Sequence, residues 1–112
     1  MLKVKTLFGE YDVYTNRNTY ELGGTLFVDL YCVEDGFIEP FAALTKNIPD
    51  KFMPCSVEQL SMAPVDVNNC PWAEQFLIEN HLAEPTGVVV TSGWCEYPIY
   101  KFNIEEIDKH RI

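Results

Sequence analysis

A chain of 112 residues, 47% hydrophobic and 13% aromatic, has the size and composition of one folded unit, not of a disordered acidic tail, so 1–112 is expected to be a single globular domain. The formal net charge is −9, and no lysine or arginine occurs from Phe52 to Tyr100. Nucleic acid and anionic membranes are gripped mainly by clustered cations, so neither is an expected partner.

In chain order, Leu2 to Phe8 alternates apolar residues with lysines as a half-exposed strand does. Gly9-Glu10 is expected to turn it into a second strand through Tyr11, Val13 and Thr15, with glycine leading a type II′ turn. Thr15 to Gly24, rich in turn formers, reads as a loop that carries Tyr20 and Leu22 inward. Leu26 to Val33 is apolar on both faces, as in a central strand covered on two sides. Glu34-Asp35-Gly36 suits a type I turn followed by a left-handed glycine, and Phe37 to Thr45 returns as its hairpin partner. Pro40 has no backbone N–H, so this strand should meet it at an edge, a bulge or near its own start.

Asp50 to Pro64 reads as a loop with one helical turn near Ser56, and Val65 and Val67 flank Asp66 as a short strand. The principal helix is expected over Trp72 to Leu82, with Pro71 in its first turn, a cap from Asn68, Asn69 or Cys70, and a stop at Ala83-Glu84-Pro85. On it Trp72, Ala73, Phe76 and Leu77 share one side, and Ile78 and Leu82 form an apolar pair roughly opposite. Val88-Val89-Val90, the Ser92-Gly93 turn and Trp94 to Phe102 make a third hairpin, with Pro98 inside the returning strand. The tail from Asn103 is read as a short helix or a frayed end. The expected fold class is therefore α+β, a mainly antiparallel β-sheet of five to seven strands built from hairpins, with the principal helix packed on one face.

No apolar run approaches the roughly 20 residues that cross a bilayer, and charge interrupts the amino terminus before a secretory signal forms, so the expected compartment is the cytoplasm. There Cys32, Cys55, Cys70 and Cys95 are expected to be reduced. Zinc sites bring ligands in close pairs, whereas these cysteines lie 15 to 25 residues apart, so neither metal nor any other cofactor is expected even with His81 and His110 at hand. Cys70 and His81 are a poor nucleophile and base, because eleven residues of helix separate them by ~16 Å. Glu34, Asp35 and Glu39 are the solvated acids of a turn, and Trp72 belongs to the core more readily than to a ligand platform, while Trp94 stands at the last turn. No phosphate-binding glycine loop, nucleophile elbow or HExxH motif is present.

Two runs, GTLFVDLYCVEDGFIEPFAALTKNIP and ENHLAEPTGVVVTSGWCEYPIYKF, together resemble a family of small bacterial domains of unknown function carried on mobile elements and phages. The likeness rests on a VDxEDG-type turn at Val28 to Gly36, an LTxN strand end at Leu44 to Asn47, and a PTG-to-SG hairpin within Leu82 to Gly93. It spans roughly residues 11 to 102, implies a shared fold and transfers no catalytic residue. Three readings follow. The first is a non-enzymatic interaction or accessory protein, using a patch of Ile78, His81 and Leu82 rimmed by Glu74, Glu79 and Asn80, for a protein partner or for self-association. In a competing arrangement the tail buries Ile78 and Leu82 under Ile104 and Ile107. The second reading is an acidic mimic of DNA, which needs Glu58, Asp66, Glu74, Glu79, Glu84 and Glu96 on one surface. The third is a small enzyme with a site near Asp66 and Cys70.

Overall fold

The structure, a computed structural model, describes residues 2–19, 26–48 and 61–112. Among these, seven strands and two short helices follow one another as β1 (Leu2–Thr6), β2 (Gly9–Thr19), β3 (Leu26–Glu34), β4 (Phe37–Ala43), β5 (Met62–Pro64), α1 (Ala73–Glu79), β6 (Ala83–Ser92), β7 (Cys95–Phe102) and α2 (Ile104–Lys109). All ladders are antiparallel, as short hairpin links require, so the α+β class holds. The strands do not form one sheet, however. β1-β2-β3-β4 make a four-stranded sheet and β5-β7-β6 a three-stranded one. The segment after β4 ties them together: Leu44 donates from its N–H to Val28 at 2.9 Å, Asp66 donates to Leu44 at 2.8 Å, and Thr45 pairs with Val65. The strand expected around Asp66 is thus displaced to Met62–Pro64, with Val65 forming only a bridge.

The first hairpin turns two residues earlier than expected. Thr6 lies opposite Gly9, and the Thr6 hydroxyl accepts from Phe8 N at 3.1 Å, closing the turn around Leu7 and Phe8. β2 then runs on to Thr19, where a loop is expected. Its polar residues find partners across the ladder: Asn16 opposes Asp29 and donates to its carboxylate at 3.2 Å. Tyr20 and Leu22 lie outside the described residues, as do the helical turn expected near Ser56, Cys55 and Glu58.

β3 is central, between β2 and β4, with Leu26, Val28 and Leu30 buried on one face. The other face is less covered: Asp29 is buried there, but Phe27 and Tyr31 beside it are half-buried. Its turn to β4 has two central residues, Asp35 at φ 50° and Gly36 at φ 80°, instead of the expected three. Two left-handed residues in succession are the type I′ geometry that matches the twist of a hairpin. Pro40 sits on the edge strand β4 beside a bulge where Phe41 is the extra residue, meeting the expectation for a strand proline.

One core joins both sheets and both helices: Val4, Val13, Val28, Leu30, Leu44, Val65, Leu77, Leu82, Tyr100 and Ile107 are buried together. A smaller cluster of Ile48, Val90, Tyr97 and Ile99 lies on the β6–β7 hairpin. α1 turns Ala73, Phe76 and Leu77 inward, with half-buried Trp72 packed on the core beside them. Tyr100 on β7 fixes the helix, donating its hydroxyl to Glu74 at 2.9 Å. The tail is neither frayed nor loose. α2 is capped by Asn103, whose Oδ1 accepts from Glu106 N at 3.2 Å, and is docked on β2 by the Thr15 hydroxyl to the Ile107 carbonyl and by a two-bond Arg17–Asp108 pair at 2.7 and 3.0 Å.

Candidate functional site

α1 is shorter than its sequence suggests, and its end builds a site. Leu82 N donates to Leu77 O at 2.9 Å and His81 N to Ile78 O at 3.2 Å, the paired bonds of a Schellman motif. In that motif the residue after the cap is left-handed, and here it is His81 at φ 56°, where glycine is usual. Asn80 adds a side-chain bond, donating from Nδ2 to Phe76 O at 2.9 Å. Leu77 and Leu82 are both buried, supplying the apolar contact that accompanies the motif. The helix accordingly ends before Leu82 and turns its side chain inward.

This corrects the expected patch. Leu82 is fully buried in the core that also holds Ile107, so it is not paired with Ile78 on an open face. Ile78 remains 50% exposed and His81 is exposed. Those two residues instead line a groove of about 890 Å³ between the end of α1, the start of β6 and the junction of β7 with α2. Its apolar lining comes from Ile78, Ala83, Pro85, Phe102 and Ile104; its polar lining from His81, Glu84, Lys101 and Glu105. Leu82 anchors the groove from beneath, because its carbonyl accepts from Asn103 N at 2.8 Å and so binds the helix end to the α2 cap.

A bulge sets the residues on the sheet side. Val89 pairs with Pro98, but Pro85 pairs with Tyr100, so Thr86, Gly87 and Val88 together face Ile99. Gly87 at φ 83° permits this, and the Thr86 hydroxyl holds it, donating to Ile99 O at 2.7 Å and accepting from Val88 N at 3.2 Å. The shift sets Glu84 directly across from Lys101. The contribution of Glu84, Lys101 and Glu105 to one groove was not recognisable without that register. The signal that did exist is Asn80-His81, two residue types that tolerate left-handed or terminal positions. Close by, a hydrogen bond from Lys109 holds the Glu106 carboxyl below the usual range, and the positive potential of His110 and His81 adds to it.

The other candidates fall elsewhere. Cys70 is buried, with its thiol 3.5 Å from the Ala43 carbonyl, and burial followed by the nearby Asp66 charge pushes it up to about 11, against the thiolate a nucleophile needs. Asp66 is also buried, and its carboxylate accepts from Asn69 N at 3.3 Å and Asn69 Nδ2 at 2.9 Å, bracing the turn that leads into α1. That bracing replaces the expected side-chain cap: Trp72 occupies the cap position without one. Asp66 is therefore lost to any acidic surface, while Glu74 is engaged by Tyr100 and Glu79 by Gln75. Cys32, Cys70 and Cys95 are free thiols, and among the described residues no three His, Cys, Asp or Glu side chains gather as metal ligands. Trp72 stands in a row of rings, 5.8 Å from Phe41 and 6.0 Å from Phe76, beside a cavity of about 310 Å³ that also borders Leu7, Phe8 and Tyr11. Trp94 is wholly exposed at the β6–β7 turn. Among the described residues no helix is long and apolar enough to cross a membrane.

Comparison with curated proteins and with solved structures returns no match. The domain described as a domain of unknown function (DUF4313) matches residues 15–111, which leaves out β1 and the start of β2 but takes in the groove and its anchoring tail, and the chain belongs to that family.

Proposed function

We propose that the chain is a non-enzymatic, cytoplasmic interaction protein that receives an apolar side chain of a protein partner in the groove beside Ile78. The observation that carries this reading is the composition of the groove: an apolar lining of Ile78, Pro85, Phe102 and Ile104, with His81, Glu84, Lys101 and Glu105 as polar neighbours. Interfaces commonly pair an apolar centre with a polar rim in this way. Lys101 and Glu84 face each other across the ladder, a placement suited to orienting a partner's own charges. An accessory role on a mobile element rests on the resemblance of the turn and strand-end motifs. Nucleic acid is not the proposed partner, since the chain carries −9 and cations are few.

The test is affinity capture from the native host with the intact chain and with Ile78→Asp and Lys101→Glu, quantified by mass spectrometry beside a thermal melt of each variant. Both side chains are solvent-facing, so the melts should stay within a few degrees of the parent. A protein captured by the parent and lost from both folded variants supports the groove. Capture that both variants retain removes the groove from the reading.

A further inference from the structure

The outer side of β4 is a second surface, separate from the groove. Among the described residues, in the order β1-β2-β3-β4, this strand has a neighbour on one side, and Phe37 to Pro40 are all exposed. The Glu34–Phe37 pair closes the two-residue turn and is hydrogen-bonded, so in the alternating ladder the next pair, Val33–Ile38, is not. The N–H and C=O of Ile38 therefore point away from β3. Two residues on, Pro40 offers only its carbonyl in that direction. The edge also carries apolar side chains. Val33 and Ile38, 44% and 61% exposed, lie opposite each other on one face, and Phe37, 71% exposed, is on the other. An open edge with exposed apolar residues is a template for another strand.

Charge decides which strand. Glu34, Asp35 and Glu39 surround the edge, and no lysine or arginine occurs from Leu26 to Ala43. Their field reaches inward: burial, and then the charges of Glu34, Glu39 and Asp12, push the Cys32 thiol up. A second copy laid antiparallel on β4 would set these acids against their own kind, which costs stability. We propose that β4 is a docking edge for an extended basic and apolar segment of another protein, which joins the four-stranded sheet through Ile38 and the Pro40 carbonyl and sets its lysines or arginines beside Glu34, Asp35 and Glu39.

The probe is a short peptide alternating lysine and valine, titrated into the full chain against a glutamate–valine peptide, with amide exchange read residue by residue. The expected result is saturable binding at least about tenfold tighter for the lysine peptide, with slowed exchange at Ile38. Ile38→Pro deletes the outward N–H while leaving the ladder to β3, and should abolish binding in a folded protein. Should that variant not fold, Glu34→Lys with Glu39→Lys serves instead and should reverse the preference between the peptides. Binding without protection at Ile38, binding indifferent to these substitutions, equal affinity for the two peptides, or no binding overturns the proposal. So does concentration-dependent protection of Ile38 in the chain alone, which would make a second copy the occupant.

Discussion

Replacing His81 by glycine should make this protein more stable and its groove less useful. At φ 56° the His81 side chain sits in left-handed backbone, which costs an L-residue about 1–2 kcal/mol. Glycine removes that cost but brings back about 0.5–1 kcal/mol of freedom in the unfolded chain. The two bonds that define the helix end, from His81 N and Leu82 N, are made by the backbone and survive the change. The net expectation is a gain of about 0.5–1 kcal/mol, or roughly 2–5 °C in melting temperature for a chain of this size. Urea denaturation monitored by circular dichroism measures it, with His81→Ala as control. Alanine keeps the Cβ in the same backbone and should give no gain. If His81→Gly melts at or below the parent while His81→Ala matches it, left-handed strain at the helix end is not stored there. Partner capture through the groove should meanwhile weaken in both variants, since both lose the imidazole from its lining.

Three further outcomes follow from the packing. Leu82→Ala should cost about 3–4 kcal/mol in urea denaturation because the residue is fully buried, whereas Ile78→Ser should cost under about 1 kcal/mol; equal losses would contradict the inward turn of the helix end. Thr15→Val should cost about 1 kcal/mol and loosen the carboxyl-terminal helix first, visible as faster amide exchange around Ile107, since the buried hydroxyl bonds that residue's carbonyl. Stability should also fall in alkali. Burial holds the Cys70 thiol at about 11 against an ordinary 9, and burial with the Glu74 bond holds the Tyr100 phenol at about 12 against 10. Above pH 9 the unfolded chain loses protons that the folded chain keeps, so the stabilisation is complete below that pH and is lost as pH rises through about 11 to 12. Urea midpoints taken across that range should decline, and Cys70→Ala should flatten the early part of the decline.

Much of the architecture could be read before the structure, because turns and prolines constrain the backbone locally. Asp35-Gly36, Gly93 and Pro40 marked two hairpins and an edge, and the spacing of Ala73, Phe76 and Leu77 marked the buried side of the helix. What escaped notice depends on partners distant in sequence. Asn16 and Arg17 look like turn formers until Asp29 and Asp108 are placed beside them. Helical spacing alone carries the helix on to Leu82 and sets that residue on the wrong side, because histidine, not glycine, takes the left-handed position that ends it. Cys70 and His81, too far apart on helical spacing to act together, belong to different surroundings: a buried thiol and an exposed groove wall. The groove itself was half visible, through Ile78 and His81, and its other wall awaited the pairing of β6 with β7.

The Thr86-Gly87-Val88 bulge carries a consequence for how the gene can change length. Three residues there face one, an excess of two, so the stretches on either side keep the same alternation of inward and outward side chains. Deleting two of the three would draw the hairpin into plain register and preserve which residues reach the core. Losing a single codon leaves two residues facing one, an ordinary bulge like the one at Phe41 in β4, so Glu84 can stay across from Lys101 and Val89 across from Pro98. Length variation among natural relatives is therefore expected at this position, where the pairing on either side survives it.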